Sequence, residues 1–273
     1  MGDVGYQSIG YPNLALAIGF VVLAVVLARV ERLGLEKALV IGSIRACVQL
    51  MAMGFVLVLV FEMDRWYHVV PVVILMVLVG ARSAYQRVER KPPGLQAVMT
   101  GSIAVAVLAV MGPVVTVVLR LEQWYQPQYL IPISGMIIGN ATTGCAVAAD
   151  RLLAELTLRR DEVEAMLCLG ASWRQAARAS VRAALRAGWM PTINAITVYG
   201  IVQLPGMMTG QVIGGVAPVE AVKYQVLIAY MLVGAVAISS YLTVRLACSQ
   251  AFTKAHQFAK WVHRGRPQET AVR

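Results

Sequence analysis

Apolar residues in this chain come in long unbroken runs, not in the period-two or period-3.6 alternation of soluble strands and helices. Six runs are long: residues 38–61, 66–85, 95–119, 129–149, 187–204 and 224–248. A seventh, residues 14–28, is short alone and reaches spanning length if it starts near Ile9. Each approaches the ~20 residues that a helix needs to cross a bilayer. The pattern predicts an all-α, polytopic membrane protein with about seven transmembrane helices, forming a single transmembrane domain over residues 1–273. Most connections are short, except residues 150–186. That stretch is rich in Ala, Leu, Glu and Arg, all strong helix formers. "LGAS" interrupts it, and Ser172 with Gln175 makes a capping box that starts a second helix. The expectation is a helix–turn–helix between spans five and six, continuous with both.

Charge adds orientation. Of the 24 Lys and Arg residues, 20 fall on alternate connections: after the first span, after the third, in residues 150–186, and in the tail from Arg245. By the positive-inside rule the N-terminus is outside, and the C-terminus and the helix–turn–helix are cytoplasmic. The net charge of +10 is thus a topology signal, and no nucleic-acid partner is expected. The N-terminal segment is acidic and has no small-residue cleavage site, so the first span is expected to stay. Cys47, Cys145, Cys168 and Cys248 form no C-x-x-C pair and are expected to be reduced core residues.

Catalytic chemistry has no foothold here. There is no P-loop and no H-E-x-x-H, and His68, His256 and His263 stand at span ends or in the tail. The chain is expected not to be an enzyme and to bind no cofactor itself. None of the six long runs contains Asp or Glu, which counts against a proton-coupled carrier. The polar residues inside spans are the candidates for a translocation pathway. Arg45 with its i+4 neighbour Gln49 either snorkels to the interface or lines a cavity. Asn140, Asn194 and Gln203 are helix–helix glue or pathway lining. Met136, Met207 and Met208, with Cys47 and Cys145, offer soft metal ligands, though methionine in a membrane also serves as packing. Which residues would hold a metal is unknown. Gly135 and Gly139 make a small-xxx-small face.

Arg174, Arg178, Arg182 and Arg186 recur every four residues as one basic stripe, facing lipid headgroups or an acidic partner. "LPGMMTGQVIGG", residues 204–215, concentrates helix breakers in an apolar context. Pro205, Gly206 and Gly210 are expected to end or unwind the sixth span near Leu204. The segment is then either a partly re-entrant outer gate or a tight external loop.

Several stretches carry a resemblance: "SIRACVQL" (43–50), "IPISGMIIGN" (131–140), "RRDEVEAMLCLGAS" (159–172), "LPGMMTG" (204–210) and "PVEAVKYQ" (218–225). Together they resemble the FetB-type iron-export permeases, membrane subunits of ABC transporters whose relatives include plant aluminium-tolerance proteins. The resemblance implies a multi-pass permease of the cell inner membrane, exporting a metal-ion substrate. It also implies a separate cytoplasmic ATPase carrying ATP and Mg, and a second permease copy. "EAMLCLG" resembles the first half of the E-A-A-x-x-x-G coupling motif, so Glu164, Ala165, Gly170, Ala171, Ser172, Arg174 and Arg178 are the implied ATPase-coupling residues. The motif's later Ile-x-Leu-Pro part has no match, since Ser180 to Ala183 stand there. After "GN" the family often has a Met-Asn pair, where this chain has Thr142, Thr143 and Gly144. The alternative is a stand-alone metal-ion carrier or channel without an ATPase.

Overall fold

The computed structural model describes residues 11–63, 65–120, 123–253 and 257–259. The expected start of the first span near Ile9, and the basic tail from residue 260 on, lie outside the described residues. Among the described residues the chain is helical throughout: α1 (Tyr11–Val30), α2 (Glu36–Met63), α3 (Trp66–Arg87), α4 (Leu95–Pro113), α5 (Pro127–Leu158), α6 (Arg160–Cys168), α7 (Trp173–Ala176), α8 (Arg178–Thr197), α9 (Gly206–Ile213) and α10 (Pro218–Gln250). A π-helical stretch, Val114–Val118, extends α4 beyond Pro113. Five stretches are long and apolar enough to span a membrane: Glu36–Val60, Trp66–Arg87, Leu95–Val118, Pro127–Leu158 and Pro218–Gln250. Ile18–Val30 is apolar but shorter.

The sixth expected span departs from its prediction. α8 stops at Thr197, well before Leu204. Its apolar part, residues 187–197, rises only about 16 Å, roughly half of a hydrocarbon core. The chain then turns back on itself: the N–H groups of Val202 and Gln203 both donate to the Val198 carbonyl at 3.1 Å, and Gly200 takes φ +78°. Leu204 and Pro205 therefore do not terminate this helix. Pro205 instead caps α9, where a missing N–H costs nothing.

α5 is the hub. It packs on α3, α4, α8 and α10, and α10 in turn packs on α4, α8 and α9. Lipid tails are as apolar as the side chains, so burial of apolar area does not drive helices together in a bilayer; close backbone approach does. The sequence supplies it with glycine. A Cβ on Gly188 of α8 would lie 2.7 Å from Ala148 Cβ and 2.9 Å from the Gly144 carbonyl oxygen. One on Gly144 would lie 2.9 Å from both Ser240 Oγ and Val236 Cγ1 of α10. On α3, one at Gly80 would lie 2.6 Å from Ile138 Cγ2 of α5. Of the expected small-residue face, Gly135 approaches Met76 of α3, while Gly139 faces open space. Cys145 is buried at the same crossing and accepts a hydrogen bond from the Thr243 hydroxyl of α10 at 3.2 Å. Cys248 is buried too, but Cys47 and Cys168 are exposed, so only two of the four cysteines are core residues.

α1 and α2 stand apart. They pack on each other and barely touch α3 and α5, and α2 is exposed along nearly its whole length.

Gly188→Val should therefore uncouple α5 from α8, because the neighbouring atoms include backbone that cannot move aside. The expected loss is roughly 1–3 kcal/mol or more, read as a lower thermal midpoint in mild detergent. Gly101→Val, on α4 with open space at its Cβ, should leave the midpoint near wild type. Equal effects of the two would refute the close-packed crossing.

Candidate functional site

The helical reversal at residues 150–186 forms as expected. α5 runs unbroken through Asp150 to Leu158, and Arg159 leads into α6. Glu155, only 4% exposed, is held by Arg151 at 2.6 Å and Arg159 at 2.9 Å, one helical turn to either side. Arg160 pairs with Glu164 at 2.8 Å. α6 ends in a left-handed residue, Gly170 at φ +89°; its N–H donates to the Leu167 carbonyl and that of Ala171 to the Met166 carbonyl, both at 3.0 Å. This Schellman reversal needs a residue without Cβ, which is why Gly170 stands there. Ser172 then caps α7: its N–H and hydroxyl reach Gln175 Oε1 at 2.9 and 2.8 Å. The arms are not continuous with the spans as expected: Arg159 divides α5 from α6, and Ala177 divides the second helix into α7 and α8.

The reversal is anchored to the bundle on two sides. From the α3–α4 connection, the Glu89 N–H donates to Asp150 Oδ1 at 3.1 Å, and the Arg90 guanidinium donates to the Thr157 hydroxyl. From the end of α10, Phe252 stacks on Trp173 at 5.8 Å and on Phe258 at 4.9 Å. Arg174, Arg178, Arg182 and Arg186 are all exposed, with Arg174 lying over the Trp173 ring at 5.4 Å. At the tip Leu169 is 88% exposed, beside exposed Ala165 and Gly170 and half-buried Ala171. Leu169 escaped the sequence reading because nothing in a Leu-rich helix marks one leucine as the outward one; its place before the left-handed Gly170 is the signal.

The residues proposed for a pathway do not converge. Arg45 and Gln49 are exposed on α2, away from the bundle. Asn140 spends its amide on its own helix, donating to the Met136 carbonyl at 2.9 Å. Met136 and Met207 pack against the core formed by α3, α4, α5 and α10. Asn194 is exposed on α8, and Gln203 is exposed in the turn after it. Among the described residues no three His, Cys, Asp or Glu side chains are grouped to hold a metal. Met208, with Pro205 of the expected outer gate, stands in the wall of a cavity between the end of α8, α9 and the start of α10.

The expected outer gate has a different construction from the one anticipated. Residues 206–213 do not unwind; they form α9. Gly206 and Gly210 lie inside it with open space at their Cβ positions, so neither provides close packing nor a left-handed turn. Gly200 and Gly215 do the turning, at φ +78° and +89°. Gly215 ends α9 as Gly170 ends α6: its N–H reaches the Val212 carbonyl, and that of Val216 reaches Gln211.

Among the described residues ten helices, five of them of spanning length and one of those five the buried hub, define a multi-pass helical membrane protein. The chain belongs to the family described as Uncharacterised protein family (UPF0014), whose model matches residues 11–252. It is 32% identical over 250 residues to the UPF0014 membrane protein YjkA of Bacillus subtilis, covering 92% of this chain and 98% of that one. It is 33% identical over 249 residues to Protein ALUMINUM SENSITIVE 3 of Arabidopsis thaliana, covering 91% and 89%. Against the Probable iron export permease protein FetB of Escherichia coli the identity is 31% over 246 residues, covering 90% and 93%. No solved structure matches the chain.

The two kinds of glycine in the 200–215 segment predict opposite responses. Gly215→Ala forces a Cβ into the left-handed region and should destabilise by roughly 1–2 kcal/mol. Gly206→Ala meets no atom and should be neutral or stabilising by about 0.4–1 kcal/mol. Thermal unfolding of the two variants beside wild type checks the sign of each.

Proposed function

We propose that this chain is the membrane permease subunit of an ABC exporter in the cell inner membrane, working with a separate ATPase and a second permease copy, with iron as its metal-ion substrate. The substrate assignment rests on FetB, whose name is that of a probable iron export permease. The observation that carries the ATPase-coupled reading is the anchored reversal at residues 150–186. It presents an exposed leucine at a glycine turn, flanked by an arginine stripe, and is braced against the α3–α4 connection and the end of α10. A rigid apolar knob of this kind suits a cleft on an ATP-driven partner, and a braced base passes the partner's motion to the spans as rigid-body movement.

Glu164 holds the α6 register through Arg160, Gly170 makes the turn, Ser172 fixes the returning helix, and Arg174 and Arg178 face an acidic partner surface. ATP and Mg belong to that partner. In this orientation the reversal is cytoplasmic and α9 lies at the outer end, as the distribution of Lys and Arg supports.

Two experiments test the reading. With the permease and its ATPase co-expressed, Leu169→Glu should lower the ATPase retained on purification about tenfold or more, the loss expected of an anchor residue, while the thermal midpoint of the isolated permease stays near wild type. A wild-type chain that retains no ATPase, yet moves metal in vesicles without ATP, would establish the stand-alone carrier instead. Tags inserted at Val216 and at Glu162 should be reached by impermeant reagents only from outside and only from inside, respectively. The reverse would overturn the orientation and the coupling role with it.

A further inference from the structure

The cavity beside α9 has a chemistry that the permease reading does not use. It measures about 430 Å³, within the range of ~300–1,000 Å³ typical of small-molecule sites and far larger than a bare ion needs. Its wall combines the rings of Tyr199 and Tyr230 with Met208, Leu204 and Ala229. No carboxylate, histidine or cysteine lines it, so it lacks the oxygen or nitrogen set that a metal ion requires.

Besides the two tyrosine hydroxyls, one polar side chain stands in that wall. Gln225 of α10 is 7% exposed, and its Oε1 is fully buried with no hydrogen-bond partner. A buried amide oxygen left unpaired destabilises the fold, so such groups are regularly satisfied by something. Beside the cavity, Ile201 and Val202 are 90% and 79% exposed, and Leu204 and Val226 are exposed as well. An approach flanked by apolar side chains favours entry from the lipid phase over entry from water.

We propose that this cavity is a binding site for a neutral amphiphile from the lipid phase, an apolar ring or chain whose single hydroxyl pairs with the Gln225 amide. The amide oxygen is closed off as it stands, and a turn of the terminal amide brings it to the cavity, where a hydroxyl, both donor and acceptor, answers either end. Tyr199 and Tyr230 offer ring faces for the apolar body, and Met208 supplies the adaptable surface that irregular ligands need. The site stands on the geometry of α8, α9 and α10 and does not depend on coupling to an ATPase.

The test uses the full chain in phosphatidylcholine nanodiscs and 4-octylphenol carrying a diazirine on its alkyl chain. Cross-links should concentrate in residues 196–208 and 222–230. Unlabelled 4-octylphenol should compete about fivefold better than octylbenzene, the factor one hydrogen bond is worth. Gln225→Leu, close in size, should erase that preference, and Ala229→Phe should fill the cavity and abolish labelling. Labelling spread elsewhere, or equal competition by the two compounds in wild type, would overturn the site. A preference that survives Gln225→Leu would overturn the role of the amide. The competition ratio in wild type needs no variant, so a variant that fails to fold leaves the proposal open to refutation.

Discussion

Close approach of α5 to α8, α10 and α3 is the contact on which the rest of the structure depends. In water, apolar area could drive such an assembly; in a bilayer it cannot, and dispersion contacts between closely approaching backbones take over. Gly144, Gly188 and Gly80 permit that approach. Around it the described core divides into two large clusters, with a small third of Val60, Val69 and Ile131 beside them. One gathers the basic ends of the helices, from Ala84 to Leu156 and Cys248, and the other gathers the far halves of α3, α4, α5 and α10. α5 contributes to both. The reversal at residues 150–186 is an extension of α5 itself, so its placement is inherited from the same crossing.

The α1–α2 hairpin follows a different rule. Its apolar side chains face outward on nearly every side, from Ile18 and Phe20 to Phe55 and Leu59. For a helix in lipid that is an acceptable end state, since hydrocarbon replaces the protein core. Arg45 and Gln49 are the exception. Neither meets a hydrogen-bond partner among the described residues, and a second copy of the chain, as proposed, would offer a surface against which a charged side chain at that depth could be accommodated.

Much of the fold was legible from apolar run length, because a bilayer imposes one period of about twenty residues and allows few alternatives. That rule located five spans and the extension of α5. It failed for residues 187–204, where composition satisfied the length criterion but Gly200 and the turn at Val198 ended the helix early. Composition cannot see φ. The same blindness misread Gly206 and Gly210: six of the eight residues between Gly206 and Ile213 are not glycine, and they hold the helix despite the two that are. The capping box at Ser172 and the turn at Gly170 were readable because both are local hydrogen-bond patterns written in neighbouring residues. Gln225 was not, since burial without a partner is a property of three helices meeting, and the sequence of one helix does not contain it.

α5 also has a mechanical property that follows from where it is crossed. It is a single helix of 32 residues, with Pro132 as its one internal proline. From Gly144, the arm to Leu158 is about 21 Å long and the arm to Pro132 about 18 Å. A rigid rod held tightly near its middle is a lever with nearly equal arms. Were the basic end displaced sideways, the other end would move by a similar amount in the opposite sense about the tight crossing at Gly144.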